Sequence, residues 1–531
     1  ISVAAGVDAV FSLLPLAPWA MRAAVGALAI GLLVWLNLRG VRESVLLLMP
    51  IFLGFLVTHG ALVVIGIAAH ETALSAQVAT SAAALTDFAG HSGWLVALAF
   101  LLRAYSLGAG TYTGIEAVSN NVHTLAEPRV RTGKLAMLYM ALSLGGLSGG
   151  LMVLYLLWDV APVAGETLNA TVFRMVLQSP SVHGGGLAGP LLAATLACAA
   201  ALLFIAANTG FLGGPAVLAN MARDRWVPHQ MSLLSTRLVT HNGILAIGAT
   251  SLLVLAITEA DVGLLVVLYS INVFITFFLS LLGLSVFWWQ YRGETDGWRS
   301  RLVLSAFGCA FTGAILVILV VEKFTAGGWV TLLVTCALAG ACLAIRRHYD
   351  AVGRQLEEIE GQLRQARPEA GPGPKIDPAA PTAVFLVGSS LATGMHTMLW
   401  TERLFPKHFC NFVFVTVGEV DASSYGGEEE LRRMQREVDE RLAYCVAFCR
   451  SAGIASIAYK GFGADVVAEL TRLCEKVNED FPRAVFFAGQ LFFEHDNWLL
   501  RMLHDKTALA MQRRLHWRGL QMMILPMKVH A

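Results

Sequence analysis

The chain has 531 residues, 56% of them apolar and only 14% charged, with a formal net charge of +1. Soluble proteins carry about 25% charged residues, so an ordinary soluble enzyme is excluded. A balance this close to neutral also gives no general attraction to nucleic acid, and no nucleic acid partner is expected. The deficit is local: residues 1–347 hold 17 Lys and Arg with 14 Asp and Glu, while the last 184 residues hold 21 and 23, which is soluble composition. The sequence therefore describes a membrane part, 1–348, a connector with a Pro/Gly linker, 349–380, and a water-exposed part, 381–531.

A helix that crosses ~30 Å of hydrocarbon needs roughly 20 mostly apolar residues. Nine such stretches follow in order: 21–38, 44–69, 93–120, 134–158, 187–212, 241–258, 262–290, 301–321 and 328–346. Residues 1–16 are too short to span and read as the tail of another helix. Alternate connections carry Arg39 and Arg42, then Arg129, Arg131 and Lys134, then Arg223, Arg225 and Arg237, then Arg292, Arg299 and Arg301, then Arg346 and Arg347. The opposite connections carry only Arg22, Arg174 and Lys323. Thirteen basic residues against three mark the first set as cytoplasmic, which also puts the C-terminal part in the cytoplasm. A chain that opens at Ile1 inside an apolar run is expected to belong to a longer, N-terminally extended parent. Between the spans, 213–230 reads as a short interfacial helix with Arg223, Asp224 and Arg225 on its polar face.

Most spans hold no ionisable group. The exception is 101–121, LLRAYSLGAGTYTGIEAVSNN, with Arg103 and Glu116 separated by Gly108-Ala109-Gly110 and by Thr111, Tyr112 and Thr113. A charge at the centre of a membrane helix costs about 2.5–3.5 kcal/mol on the insertion scale, so such groups face a cavity or a partner. A Gly-x-Gly step can break a helix where its freed backbone groups line a protein cavity. Hydroxyl and phenol oxygens beside a carboxylate suit an alkali cation or a proton. Two other readings remain open: close helix packing through the glycines, and an Arg103–Glu116 ion pair with no ligand. Tyr269, Ser270 and Asn272 in the 262–290 span either bond to a neighbouring helix or line the path. Asn208 and Thr209 read as packing groups.

The C-terminal part changes period. Residues 349–374 form a charged helix ending in a Pro/Gly-rich stretch, with a dimer-forming arm as an alternative. Short apolar runs at 382–388, 411–418, 454–459, 483–489 and 521–525 then alternate with helical stretches at 394–405, 427–451, 463–478 and 495–514. That series predicts a parallel, doubly wound α/β domain. Ligands of such sheets sit at the carboxyl ends of the strands, which singles out Gly388, Ser389 and Ser390, Gly418 and Glu419, and 461–463. GSSLATG at 388–394 lacks the Lys-Ser/Thr ending of a phosphate-binding P-loop, and strand-to-helix turns explain the same glycines. The eight Cys residues show no CxxC or Cys/His spacing that suggests zinc or a disulfide framework. No nucleophile–base pair or metal-ligand set is visible, and His59, His70 and His91 lie singly, so the chain is not expected to be an enzyme.

The stretch LLRAY…GTYTGIEAVSN…EPRVRTGK resembles the sixth helix and following loop of the amino acid–polyamine–organocation (APC) superfamily, in particular its KUP/KimA-like potassium importers. ISVAAGVDAV and LNLRGVRES resemble the end of that family's third helix and its fourth-to-fifth junction. The resemblance covers residues 1 to about 346. It implies a polytopic α-helical fold of two inverted repeats with broken first and sixth helices, of which helices 4–12 lie in this sequence. It places Thr113 and Glu116, with Tyr112 beside them, at a potassium site and Tyr269 on a tenth-helix tyrosine; Arg103 becomes an ion-pairing or gating residue. The α/β part resembles the universal-stress-protein-like tails of transporters in this superfamily.

The function so implied is proton-coupled potassium uptake at the plasma (inner) membrane, with potassium and protons as transported ions and no resident cofactor. Partners would be the lipid bilayer, a small inorganic or organic cation, and a second copy through the cytoplasmic domain. Cyclic di-AMP enters as a regulator through the same resemblance. An amino acid or organic-cation permease of the same fold is the alternative, and a membrane-anchored nucleotide sensor without transport is a further one.

Overall fold

The computed structural model describes residues 1–13, 18–40, 45–108, 118, 125–163, 165–180, 185–235, 239–294, 297–365, 373–420, 428–493, 503 and 507–529. The first unit gathers residues 1–33, 42–209 and 250–337, and the second gathers 34–41, 210–249 and 338–531. Among the described residues, seven helices are long and apolar enough to cross a membrane.

The membrane helices are, in chain order, α1 (Ser2–Phe11), α2 (Trp19–Leu38), α3 (Val45–Ala68), α4 (Glu71–Ser92), α5 (Trp94–Gly108), α6 (Arg129–Leu157), α7 (Leu168–Gln178), α8 (Ala188–Arg223), α9 (His241–Ile257), α10 (Val262–Gln290) and α11 (Trp298–Lys323). A single π turn, Phe324–Gly328, leads into α12 (Trp329–Gln365). Seven expected spans recur as the long helices, whereas those at 93–120 and 241–258 appear as the shorter described helices α5 and α9.

Four elements differ from the sequence expectation. α4 and α7 were not expected as helices. α4 is rich in alanine, the strongest helix former, but too polar to read as a span. α7 is a short amphipathic helix whose N-cap Thr167 accepts a hydrogen bond from the Ala170 amide at 3.3 Å. The separate interfacial helix at 213–230 is not present: α8 runs unbroken through Gly213, Gly214 and Pro215 to Arg223. The connector is likewise not separate from the last span, because α12 continues through Arg346 and Arg347 to Gln365.

Small residues set the helix packing of the first unit. A Cβ on Gly150 of α6 would lie 2.6 Å from Val63 of α3, and one on Gly66 of α3 would overlap Leu154 of α6. This close approach is what small-residue membrane interfaces exploit. Around it Leu62, Leu154, Phe173, Val176 and Leu196 form one buried cluster. A second cluster joins Ile271 and Phe274 of α10 to Ile315 and Leu319 of α11.

In the second unit the expected strand–helix alternation is present: β1 (Thr382–Leu386), α13 (Leu391–Leu404), β2 (Asn411–Glu419), α14 (Glu428–Ser451), β3 (Ala455–Gly463), α15 (Val466–Asp480), β4 (Ala484–Phe493), α16 (Thr507–Trp517) and β5 (Met522–Val529). The strands are all parallel, in the order β3-β2-β1-β4-β5. β1 is central and fully apolar, as a strand covered on both faces must be. Phe385 stacks with Phe414 and Phe487 on the face under α13 and α14. Val384 and Phe486 pack on the other face with Leu473, Cys474 and Met511 of α15 and α16. Pro526 falls on β5, an edge strand, where a missing N–H is tolerated. Buried Asn411 is satisfied by giving its Nδ2 hydrogens to the Asp377 carbonyl at 2.7 Å and to Thr382 Oγ1 at 3.0 Å.

Candidate functional site

Tyr112, Thr113 and Glu116, the heart of the expected cation site, lie outside the described residues, as does the Gly-x-Gly step beyond Gly108. What is described is the helix that delivers them. α5 runs to Gly108 and lies against α11, where the Tyr105 and Phe311 rings sit 5.9 Å apart. Arg103, one turn earlier, donates from Nη2 to Glu322 Oε1 near the end of α11. Sequence reasoning considered Glu116 as the partner and missed Glu322. The two charges stand 219 positions apart, and Glu322 beside Lys323 reads as the ordinary polar end of a span.

Tyr269 is 37% exposed on α10. Its neighbour Ser270 is buried and bonds back to the Val266 carbonyl at 2.7 Å. Asn272 receives a 2.7 Å hydrogen bond from Thr335 of α12 at its Oδ1, a cross-helix bond of the kind that holds membrane bundles together. Asn208 is buried on α8, and Thr209 Oγ1 bonds back to the Ala206 carbonyl at 2.6 Å.

A charged cavity of about 300 Å³ at the ends of α1, α2, α9 and α10 was not foreseen. Asp8, Glu259 and Asp261 line it, with Arg22 as the one basic group. Arg22 reaches Asp8 at 3.4 Å and the Gly165 carbonyl at 3.2 Å. Asp261 is fixed as the N-cap of α10, its Oδ1 accepting from the Leu264 amide at 3.1 Å. The turn before it holds Glu259 and Ala260 at φ of 51° and 60°. L-residues enter that region only at about 1–2 kcal/mol each, so surrounding contacts must fix the turn.

In the α/β domain the candidate ligand positions fall at the carboxyl edge of the sheet, at the switch in strand direction between β1 and β4. Gly388 and Ser389 are exposed, and the Gly388 carbonyl accepts from Arg441 at 2.7 Å. Ser390, the N-cap of α13, makes no cap bond of its own. Its Oγ instead donates to Glu360 Oε1 at 2.9 Å, and the same oxygen receives the Ala392 amide at 3.2 Å. Burial lowers the Arg441 pKa, while the nearby Glu360 and Glu437 carboxylates oppose that shift. Gly418 has a packing explanation: a Cβ there would meet the Phe462 ring of the adjacent strand at 2.7 Å. Glu419 ends β2, and Gly461, Phe462 and Gly463 end β3 beside Glu469 of α15. Among the described residues no group of three or more His, Cys, Asp or Glu is arranged to hold a metal ion.

Residues 2–342 match the family model described as amino acid permease. The potassium transporter KimA of Bacillus subtilis (strain 168) is 30% identical over 380 residues, which cover 68% of this chain and 58% of that protein. The chain thus spans under two thirds of the length of this relative.

Proposed function

This chain belongs to the amino acid permease family of the APC superfamily, and on that premise we propose that it is a secondary transporter taking up potassium together with protons. The observation that carries the substrate is its identity to a potassium transporter across two thirds of its own length. In this reading Glu116 holds the cation or carries the proton, and Thr113, Tyr112 and Tyr269 supply oxygen ligands from the broken sixth and the tenth helices of an inverted-repeat fold. Rocking of one helix repeat against the other exposes the site to each side in turn. The Arg103–Glu322 bond braces the helix that leads into the site. The cavity of Asp8, Glu259 and Asp261 would raise the local concentration of cations at the outer face.

The same reading places the protein in the plasma (inner) membrane with the α/β domain in the cytoplasm. There the domain acts as a universal-stress-protein-like regulator that binds cyclic di-AMP at the β1–α13 turn and pairs with a second copy. A strain without its own potassium-uptake systems should grow at low potassium when it carries this gene, and Glu116→Gln at equal membrane abundance should abolish the rescue. The second reading, an amino acid or organic-cation permease, is favoured by the family match itself. It replaces the first if no rescue occurs and labelled amino acids are taken up.

A further inference from the structure

The C-terminal half of α12 is held at two places by contacts of different kinds, all within the second unit. Near its middle, Asp350 faces Arg225 at 3.7 Å and Arg346 at 3.7 Å, and the Arg346 guanidinium lies 4.3 Å from the Trp226 ring centre. Tyr349 Oη accepts from the His229 amide at 3.4 Å and donates to the Leu503 carbonyl at 2.5 Å. Arg225 lies against Gly353 so closely that a Cβ there would fall 2.9 Å from Nη1. Arg225 also takes φ of 65°, a left-handed conformation that needs outside support in a non-glycine residue.

Three turns further on, the helix grips the α/β domain. Glu360 supplies the cap that Ser390 does not, binding the Ser390 hydroxyl and the Ala392 amide at the start of α13. Leu363 packs against the cluster around Phe385, and its carbonyl accepts from the Tyr444 hydroxyl of α14. Residues 346, 349, 350, 353, 360 and 363 recur at helical spacing and share one side of α12. Between Tyr349 and Glu360 the rigid helix spans about 16 Å at 1.5 Å per residue.

We propose that α12 is a relay with two latches: Glu360 and Leu363 fix it to α13 and α14, while Arg346, Tyr349 and Asp350 fix it to the turn that follows α8. A displacement at the β1–α13 turn then reaches the 224–232 segment, and with it the end of the continuous helix α8. That this modulates transport rests on the transporter reading above; the mechanical coupling itself does not. Coupling between two sites is reciprocal, so breaking either latch must loosen the other.

The test is hydrogen exchange on the intact purified protein in lipid nanodiscs. Glu360→Ala should speed exchange at 229–232 by about fivefold or more, the low end of measured coupling between sites. Glu360→Gln, which keeps one acceptor oxygen, should give a smaller change, and β1 and β2 should stay protected. In the reverse direction, Tyr349→Phe should speed exchange at the Ala392 amide. A change confined to 390–394 in Glu360→Ala, or no change at 392 in Tyr349→Phe, overturns the relay and leaves Glu360 as a local helix cap. If Glu360→Ala unfolds the domain and exposes β1, the Tyr349→Phe result decides alone. Potassium and amino acid uptake are measured in parallel. Coupled exchange without altered uptake keeps the relay and removes only its bearing on transport.

Discussion

Arg103 and Glu322 offer the sharpest energetic test of the membrane part. The guanidinium on α5 and the carboxylate on α11 are bonded to each other, and in the membrane reading neither end has bulk water as an alternative partner. A charged group at the centre of a membrane helix costs about 2.5–3.5 kcal/mol. Arg103→Ala leaves Glu322 without this guanidinium and should destabilise the protein by about 2–3 kcal/mol, as should Glu322→Ala. If the pair is the reason, removing both side chains together should cost distinctly less than the two single losses added, with a coupling of about 1–3 kcal/mol. Reversible unfolding of all four proteins in mixed micelles, followed by tryptophan fluorescence, measures the cycle. The pair is contiguous with aromatic packing between the same helices, the Tyr105 and Phe311 rings. The control Tyr105→Leu should therefore be additive with Glu322→Ala. Coupling below about 0.5 kcal/mol between Arg103 and Glu322, the level at which independent sites add, would refute the reasoning.

Other consequences follow from single contacts. Gly489→Ala pushes a methyl to 2.5 Å from Thr397 Oγ1 and 3.2 Å from the Thr393 carbonyl, so α13 must lift off β4. A loss of about 1–3 kcal/mol by overpacking should appear as a lower Tm of the α/β domain. Asp261→Ala removes the cap of α10 and should lower stability by about 1 kcal/mol. Burial pushes the thiols of Cys445, Cys449 and Cys474 up to about 12, while Cys410 is exposed. Maleimide at pH 7.5 should label Cys410 and spare those three until the domain is unfolded. The pH dependence has a definite sign. The unfolded chain ionises these thiols near ~8.5 while the folded one holds their protons. Their contribution is therefore fully present below that pH and falls as pH rises from about 9 towards 12, which a urea series across alkaline pH would read.

The parts legible in the sequence are those where one physical signal dominates. Uninterrupted apolar runs located α2, α3, α10 and α11 to within a few residues. Short β-branched and aromatic runs between amphipathic stretches located all five strands of the parallel sheet. Competing signals hid the rest. Gly213, Gly214 and Pro215 argue for a break, yet α8 continues, and Gly243 of α9 leaves room there because a Cβ would lie 2.9 Å from the Pro215 ring. Arg346 and Arg347 mark a membrane boundary by charge but do not interrupt the backbone of α12. The partners of Arg103, Arg22 and Glu360 are separated from them by 219, 14 and 30 positions. No local pattern announces such pairings. The candidate cation ligands at 112, 113 and 116 rest on sequence chemistry and resemblance, whereas the contacts that brace α5 come from the structure.

The central claim is that this protein moves potassium, and flux through the purified protein tests it most directly. Reconstituted into liposomes with an inward proton gradient, it should accumulate potassium against its concentration gradient. Collapsing the proton gradient or introducing Glu116→Gln should stop that accumulation, and amino acids should not compete. Vesicles that gather labelled amino acids under the same gradient, with potassium flux no higher than in empty liposomes, would contradict it.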